Sequence, residues 1–205
     1  MKEEKNRIAR DKLPERFYKI ARPILGTLYR LYYNPKIIGI ENIPKNGPII
    51  IVGNHKHVMD QCNIIISTKR VVHYMAKKEY FDSKFAWFFK ATGCISVDRK
   101  NKDEVAKQEA LNILEQGGAI GLFPEGTRNR TSELLLPFKY GAVSMAKKTN
   151  ALIVPFGITG DYKFRSKNLT IRYGKPFKVG SMTLEEANNR LFHDVETLMK
   201  KNLNK

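Results

Sequence analysis

From residue 36 onward, short apolar runs alternate with stretches of helical spacing. Ile37-Ile38-Gly39-Ile40 reads as a short strand, and the IPKNGP of residues 43–48 as a turn. Ile49 to Val52 is an unbroken apolar run, the pattern of a buried strand. The pattern predicts helix over 60–67, strand over 71–75, helix over 84–91 and strand over 95–97. Residues 103–116 carry good helix formers, with Val105, Leu111 and Leu114 apolar, and stop at Gly117-Gly118. Strands are predicted over 119–123, 152–158 and 169–173, and helices over 140–147 and 184–200. Alternation of this kind predicts an α/β fold, a mixed sheet flanked by helices.

The first 35 residues differ, and they predict an N-terminal amphipathic helical segment ahead of an α/β domain over 36–205. Residues 1–15 are polar and highly charged. In RFYKIARPILGTLYRLYY, residues 16–33, Phe17, Ile20, Ala21, Ile24, Leu28 and Leu31 fall at helical spacing. Arg16, Lys19, Arg22 and Arg30 interrupt them, and Tyr29, Tyr32 and Tyr33 cluster near the end. Pro23 predicts a kink or the start of a second helix. Two readings stay open at this level: a helix packed on its own domain, or a basic amphipathic helix lying in a bilayer interface.

Charge narrows the partners. The 205 residues hold 37 Lys and Arg against 20 Asp and Glu, a net charge of +17. Such an excess points to nucleic acid, an anionic membrane surface, phosphorylated ligands or an acidic protein, and says nothing about fold. Cys62 and Cys94 are the only cysteines, and they form neither a disulfide framework nor a paired metal spacing. No secretory signal and no run of about 20 apolar residues is present, so a cytoplasmic, non-spanning protein is expected.

The chemistry-bearing residues sit where predicted strands end. GNHKHVMD, residues 53–60, places His55 five residues before Asp60, at the start of a predicted helix. A metal site would need further ligands, and His73 and His193 stand in no ligand-like spacing, so no metal is expected. A structural histidine beside a capping Asn54 is the plain alternative. The third reading is a base, His55, with Asp60 fixing its tautomer. FPEGTRNR, residues 123–130, follows another strand, and its Gly126 allows close backbone approach. There Thr127 offers a hydroxyl and Arg128 a fork of donors suited to phosphate. GCISVDR, residues 93–99, ends a strand at Arg99, and Val154-Pro155 lies in a further strand. Ligands bind at such strand ends in open α/β sheets.

Taken in order, these motifs resemble those of the glycerolipid acyltransferases, and within them the small bacterial 1-acyl-sn-glycerol-3-phosphate acyltransferases. Asn54-His55 with Asp60 looks like the family's histidine, four residues, aspartate motif; 93–99 like the second; Phe123 to Arg128 like the third; Val154-Pro155 like the fourth. Lys77 and the FKYGA of 138–142 also fit. The resemblance spans residues 36–160, about three-fifths of the chain. His57 departs from it, standing where the family often has serine. The spacing to Asp60 still favours His55 as the base.

What the resemblance implies can be set out as expectations. His55 and Asp60 are the catalytic pair. Glu125, Gly126, Thr127, Arg128, Arg99 and Lys77 form the substrate site, with the arginines and Lys77 on a phosphate. The acyl donor is acyl-CoA or acyl carrier protein, the acceptor is lysophosphatidic acid, and no cofactor is needed because a thioester is already activated. The chain works as a peripheral protein on the cytoplasmic face of an anionic membrane, with no nucleic acid as partner. The alternatives are acylation of another lysolipid or of glycerol-3-phosphate, and, from another class, a non-catalytic anionic lipid- or nucleic-acid-binding protein. The latter has only the net charge in its favour, since no zinc-finger spacing or aromatic RNA-binding strand is present.

Overall fold

The computed structural model describes residues 13–98 and 103–204. In chain order they form α1 (Leu13–Tyr33), β1 (Lys36–Ile38), a 3-10 turn (Ile40–Asn42), β2 (Ile49–Gly53) and α2 (Asp60–Ser67). β3 (Val72–Lys77), α3 (Lys78–Phe81), α4 (Ala86–Ala91), β4 (Ile95–Val97) and α5 (Glu104–Glu115) follow. The rest is β5 (Ala119–Leu122), α6 (Gly141–Thr149), β6 (Leu152–Thr159), β7 (Thr170–Tyr173) and α7 (Leu184–Leu203).

The seven strands make one sheet in the order β1-β7-β6-β2-β5-β3-β4. From β6 to β4 the strands are parallel, whereas β7 runs antiparallel to β6 and carries β1 alongside it. The sheet is therefore mixed. β2 lies at its centre, and Ile49, Ile50, Ile51 and Val52 are wholly buried. Ile50 and Val52 point into a core shared with α5, α6 and α7, while Ile49 and Ile51 enter a second core with Ile64 of α2. Each such side chain stabilises the fold by roughly 1.5–3 kcal/mol. α7 is fixed at its start by a reciprocal cap, Thr183 Oγ1 accepting from Glu186 N at 3.1 Å and Glu186 Oε2 from Thr183 N at 2.7 Å.

Two local expectations change. Residues 13–33 form one helix with Pro23 inside it, not a second helix starting there. Contacts on both sides of Pro23 hold the helix to the body. Tyr18 Oη donates to Val72 O at 3.1 Å and Arg22 Nε to Ile65 O at 3.0 Å, while beyond the proline Arg30 Nη2 donates to Ile66 O at 2.8 Å. The helix expected over 84–91 is found over 86–91, and a short helix over 78–81 precedes it that the pattern does not predict; between them Ser83 Oγ accepts from Phe85 N at 3.2 Å.

α1 does pack on its own domain, but with the unexpected face. Tyr18, Arg22 and Tyr29 face inward. Ile20, Ile24, Leu28 and Leu31 remain 69%, 61%, 58% and 63% exposed. The helix thus turns its polar-tipped aromatic and arginine stripe toward α2 and β3 and its aliphatic stripe outward.

His73 of β3 adds a titratable lock beneath α1. Its Nδ1 lies 2.8 Å from Gly93 O, so that nitrogen carries the proton. Burial lowers its pKa below the ordinary imidazole value. The unfolded chain then binds a proton near pH 6.5 that the folded chain resists, so the stability from neutral His73 is present above that pH and lost as pH falls through the lowered value. We expect the urea midpoint of the wild type to fall more steeply as pH drops below 6.5 than that of His73→Gln. Parallel pH slopes would contradict this assignment.

Candidate active site

β2 ends where the chain must bend. Its last residue, Gly53, lies too close to β6 for any side chain, since a Cβ there would meet Phe156 O at 2.2 Å. Asn54 then replaces the next strand residue, its side chain accepting from Ile158 N at 2.7 Å and donating to Ile158 O at 2.9 Å. This amide ties the loop to β6, and His55 emerges at the carboxyl edge of the sheet.

The His55 ring is held on two sides. It stacks on Phe123 at 4.1 Å, and Phe123 in turn meets buried Phe156 edge-on. In its plane, Nδ1 lies 2.8 Å from Asp60 Oδ2. The carboxylate acceptor places the proton on Nδ1 and leaves the other nitrogen, Nε2, able to accept one. The His55 side chain keeps 19% of its surface exposed, whereas Asp60 has none.

Asp60 opens α2 and is the most heavily engaged group of the site. Its Oδ2 also accepts from Lys56 N at 2.7 Å and His57 N at 2.8 Å. Its Oδ1 accepts from Tyr162 Oη at 2.5 Å. Burial, with the Asp60 charge beside it, pushes the Tyr162 phenol far above its ordinary value, which keeps it a donor. Asn63 Nδ2 donates to the same phenol at 2.6 Å, and Tyr29 Oη of α1 donates to Asn63 Oδ1 at 3.0 Å. A continuous hydrogen-bonded line therefore runs from α1 through Asn63, Tyr162 and Asp60 to His55.

His57 serves the site differently from His55. Its ring stacks on Tyr162 at 4.2 Å, and its Nδ1 accepts from Met59 N at 3.2 Å. The His57 group that reaches Asp60 is the backbone N–H.

The second loop is clamped to the first by Glu125, which is 5% exposed. Its Oε1 accepts from His55 N at 2.6 Å and its Oε2 from Leu136 N at 2.9 Å. Burial raises its pKa above the usual carboxylate range. Asn129 N adds a bond to His55 O at 2.7 Å. Gly126 has φ +71°, and a Cβ there would come within 2.9 Å of Lys139 Nζ. Thr127 and Arg128 follow it as exposed residues. Arg128 has no ion pair among the described residues, which leaves its guanidinium open to an anionic ligand. Lys77 is exposed at the end of β3, at the same edge of the sheet, in register with Val97 of β4. Arg99 lies outside the described residues. Among the described residues, no three His, Cys, Asp or Glu side chains gather as metal ligands would.

The structure thus joins His55, Asp60 and Glu125 directly, and brings Gly126, Thr127 and Arg128 in on one loop. It adds two residues that sequence reading missed, Tyr162 and Asn63. Tyr162 follows the end of β6, at the same edge as His55, but nothing local marks it as a partner for a residue 102 positions away.

A neutral imidazole with one nitrogen held by a carboxylate is arranged to take a proton from a hydroxyl, beside a loop whose arginine suits an anion. Such a site at the carboxyl edge of an α/β sheet suits the activation of an alcohol for group transfer. The Acyltransferase family model matches residues 34–159, more than half of the chain and both loops that carry His55 and Glu125, and the chain belongs to that family. A 1-acyl-sn-glycerol-3-phosphate acyltransferase of Borreliella burgdorferi is 34% identical over 141 residues, covering 67% of this chain and 56% of its own length. One of Bacillus subtilis is 29% identical over 187 residues, covering 88% of this chain and 92% of its own. The crystal structure of the 1-acyl-sn-glycerophosphate (LPA) acyltransferase of Thermotoga maritima shares the fold, with TM-score 0.70 at 23% identity, over 100% of this chain and 82% of that one.

Removing the Tyr162 hydroxyl tests the carboxylate's enclosure. Tyr162→Phe keeps the ring over His57 but leaves Asp60 Oδ1 and Asn63 Nδ2 each short of a partner. We expect a loss of roughly 1–3 kcal/mol in urea denaturation. An unchanged midpoint would show that Oδ1 is satisfied otherwise.

Proposed function

We propose that this chain is a 1-acyl-sn-glycerol-3-phosphate O-acyltransferase. It transfers an acyl group from a thioester donor, acyl-CoA or acyl carrier protein, to the free sn-2 hydroxyl of lysophosphatidic acid, making phosphatidic acid. The observation that carries this reading is the His55–Asp60 pair at 2.8 Å, within a chain of the Acyltransferase family. Relatives that bear this activity in their names support the acceptor.

The chemistry follows from the geometry. His55 Nε2 takes the hydroxyl proton while Asp60 holds Nδ1–H and stabilises the imidazolium that forms. The oxygen attacks the thioester carbon, a C–O bond forms, the C–S bond breaks, and the thiolate leaves with the proton returned from His55. No acyl-enzyme is needed. Glu125 acts by holding the two loops at fixed spacing, because both its oxygens are taken by backbone N–H groups. Arg128, with Lys77 and Arg99, binds the phosphate. An apolar groove of about 410 Å³ between α1 and α2, lined by Tyr18, Leu25, Tyr29, Cys62 and Ile65, offers room for an acyl chain.

The same reading assigns residues 1–35 to membrane docking and 36–205 to catalysis, on the cytoplasmic face of an anionic membrane. No helix among the described residues is long and apolar enough to cross a bilayer. The outward aliphatic stripe of α1 supports docking by insertion into the acyl boundary. Arg16 and Lys19 are exposed beside it, while Arg22 and Arg30 are bound to α2 carbonyls.

Assays of acyl transfer to lysophosphatidic acid, with both donors, test the proposal. His55→Ala and Asp60→Asn should each lower the rate by roughly 10²–10⁴-fold. His57→Ala should keep most activity; the reverse order would move the base to His57. In a separate kinetic comparison, Arg128→Ala should raise KM for lysophosphatidic acid, and Arg128→Lys should rescue it only partly, because an ammonium lacks the paired donors. Unchanged KM and kcat in Arg128→Ala would remove it from the phosphate site.

A further inference from the structure

The proposed function leaves one exposed apolar surface without a use. Between β3 and β4, the segment 78–91 displays Phe85 at 56% and Trp87 at 64% exposure, with Phe88 beside them. These side chains do not stand on a loose loop. Tyr80 stacks on Phe89 at 5.0 Å, Phe81 meets Phe89 at 5.8 Å, and Phe88 meets Phe89 edge-on at 5.7 Å. These ring contacts centred on Phe89 hold the segment together and leave Phe85 and Trp87 to water.

The outer side is continuous with α1. At about 100° per residue, Phe17, Ile20, Ile24, Leu28 and Leu31 fall within an arc of roughly 80° on that helix. Phe17, on this outward stripe, meets Phe88 edge-on at 5.9 Å. The two patches therefore form one surface, running along a helix of 21 residues and over its N-terminal end onto α4. Lys77, Lys78, Lys84 and Lys90 are all exposed around the second patch, and Lys84 Nζ lies 5.5 Å from the Phe85 ring.

We propose that the α3–α4 segment is a second membrane-inserting element, in which Trp87 and Phe85 enter an anionic lipid surface while the surrounding lysines reach its head groups. The inference rests on the reading of the substrate as a bilayer lipid. Three observations select a lipid surface as the occupant. The apolar centre continues into an aliphatic helix stripe, which lies along a bilayer as interfacial helices do. Its rim is basic, matching anionic head groups, and the chain carries +17 overall. Tryptophan with flanking lysines is the composition of a membrane-interface belt. The position also fits the chemistry: β3 feeds the segment directly, at the edge of the sheet where β2 delivers His55. Two attachment lines, α1 and α3–α4, fix the orientation of that edge over the bilayer, whereas one helix alone leaves rotation about its axis free.

Trp87 is the single tryptophan of the chain, so intrinsic fluorescence reads this position alone. Full-length protein should be mixed with vesicles of phosphatidylglycerol and phosphatidylcholine. Trp87 emission should shift to the blue and be quenched by lipids brominated on their acyl chains, with little change on phosphatidylcholine alone. Trp87→Ser, folded by circular dichroism, should co-sediment with these vesicles roughly tenfold more weakly. Its acylation of vesicle-embedded lysophosphatidic acid should fall, and that of a short-chain, water-soluble acceptor should not. If the wild type co-sediments while Trp87 stays unquenched, α1 docks without this segment and the proposal fails. It fails equally if Trp87 responds to acidic acyl carrier protein and not to vesicles. If the wild type acylates neither acceptor, the proposed reaction is wrong, while quenching still decides the insertion of Trp87.

Discussion

A carboxylate with no exposed surface costs several kilocalories per mole unless donors surround it. Asp60 is such a group, and the site is built from the donors it collects. Two backbone N–H groups from the turn before α2, the His55 imidazole and the Tyr162 phenol all converge on it. Four donors match the acceptor-only form of a carboxylate. The same bonds fix the Asn54–Asp60 turn, dictate which nitrogen of His55 holds a proton, and draw the chain after β6 against α2. Structure and chemistry share one set of interactions here, so a change that frees Asp60 alters both.

The sheet makes that convergence possible. β2, β5 and β6 are neighbours and parallel, so the turns that follow them leave the same edge side by side. Glu125 and Asn129 join the first two turns through His55 N and O, and Asn54 joins the first to β6. Phe156, Phe123 and His55 pack outward from the core in that order, the first pair edge-on and the second stacked, which carries the rigidity of the interior to the reacting ring. Preorganisation of this kind limits what the substrate must order on binding.

How much of this could be read from the chain depended on sequence distance. The run Ile49 to Val52 announced a strand because both faces of β2 are covered, and such a strand needs no polar positions. His55 and Asp60 were legible because five residues span a turn and one helical start. Tyr162 was not, because its pairing with Asp60 comes only from the fold. The outward face of α1 was half legible. Its aliphatic period was plain, but apolar spacing alone says where a stripe lies, not what it faces. The deciding partners are carbonyls at the carboxyl end of α2, Ile65 O and Ile66 O, which lack helical donors and take Arg22 and Arg30. Trp87 and its neighbours drew no notice, since a short aromatic helix in sequence looks like core.

Asp60 sets the proton arrangement of His55. Nitrogen-15 NMR of the imidazoles reads this directly, since protonated and unprotonated ring nitrogens have well-separated shifts. In the neutral form, the wild type should show His55 with its proton on Nδ1 and an unprotonated Nε2, and Asp60→Asn should lose that preference. A neutral His55 carrying its proton on Nε2 in the wild type, or a tautomer indifferent to Asp60→Asn, would contradict the account.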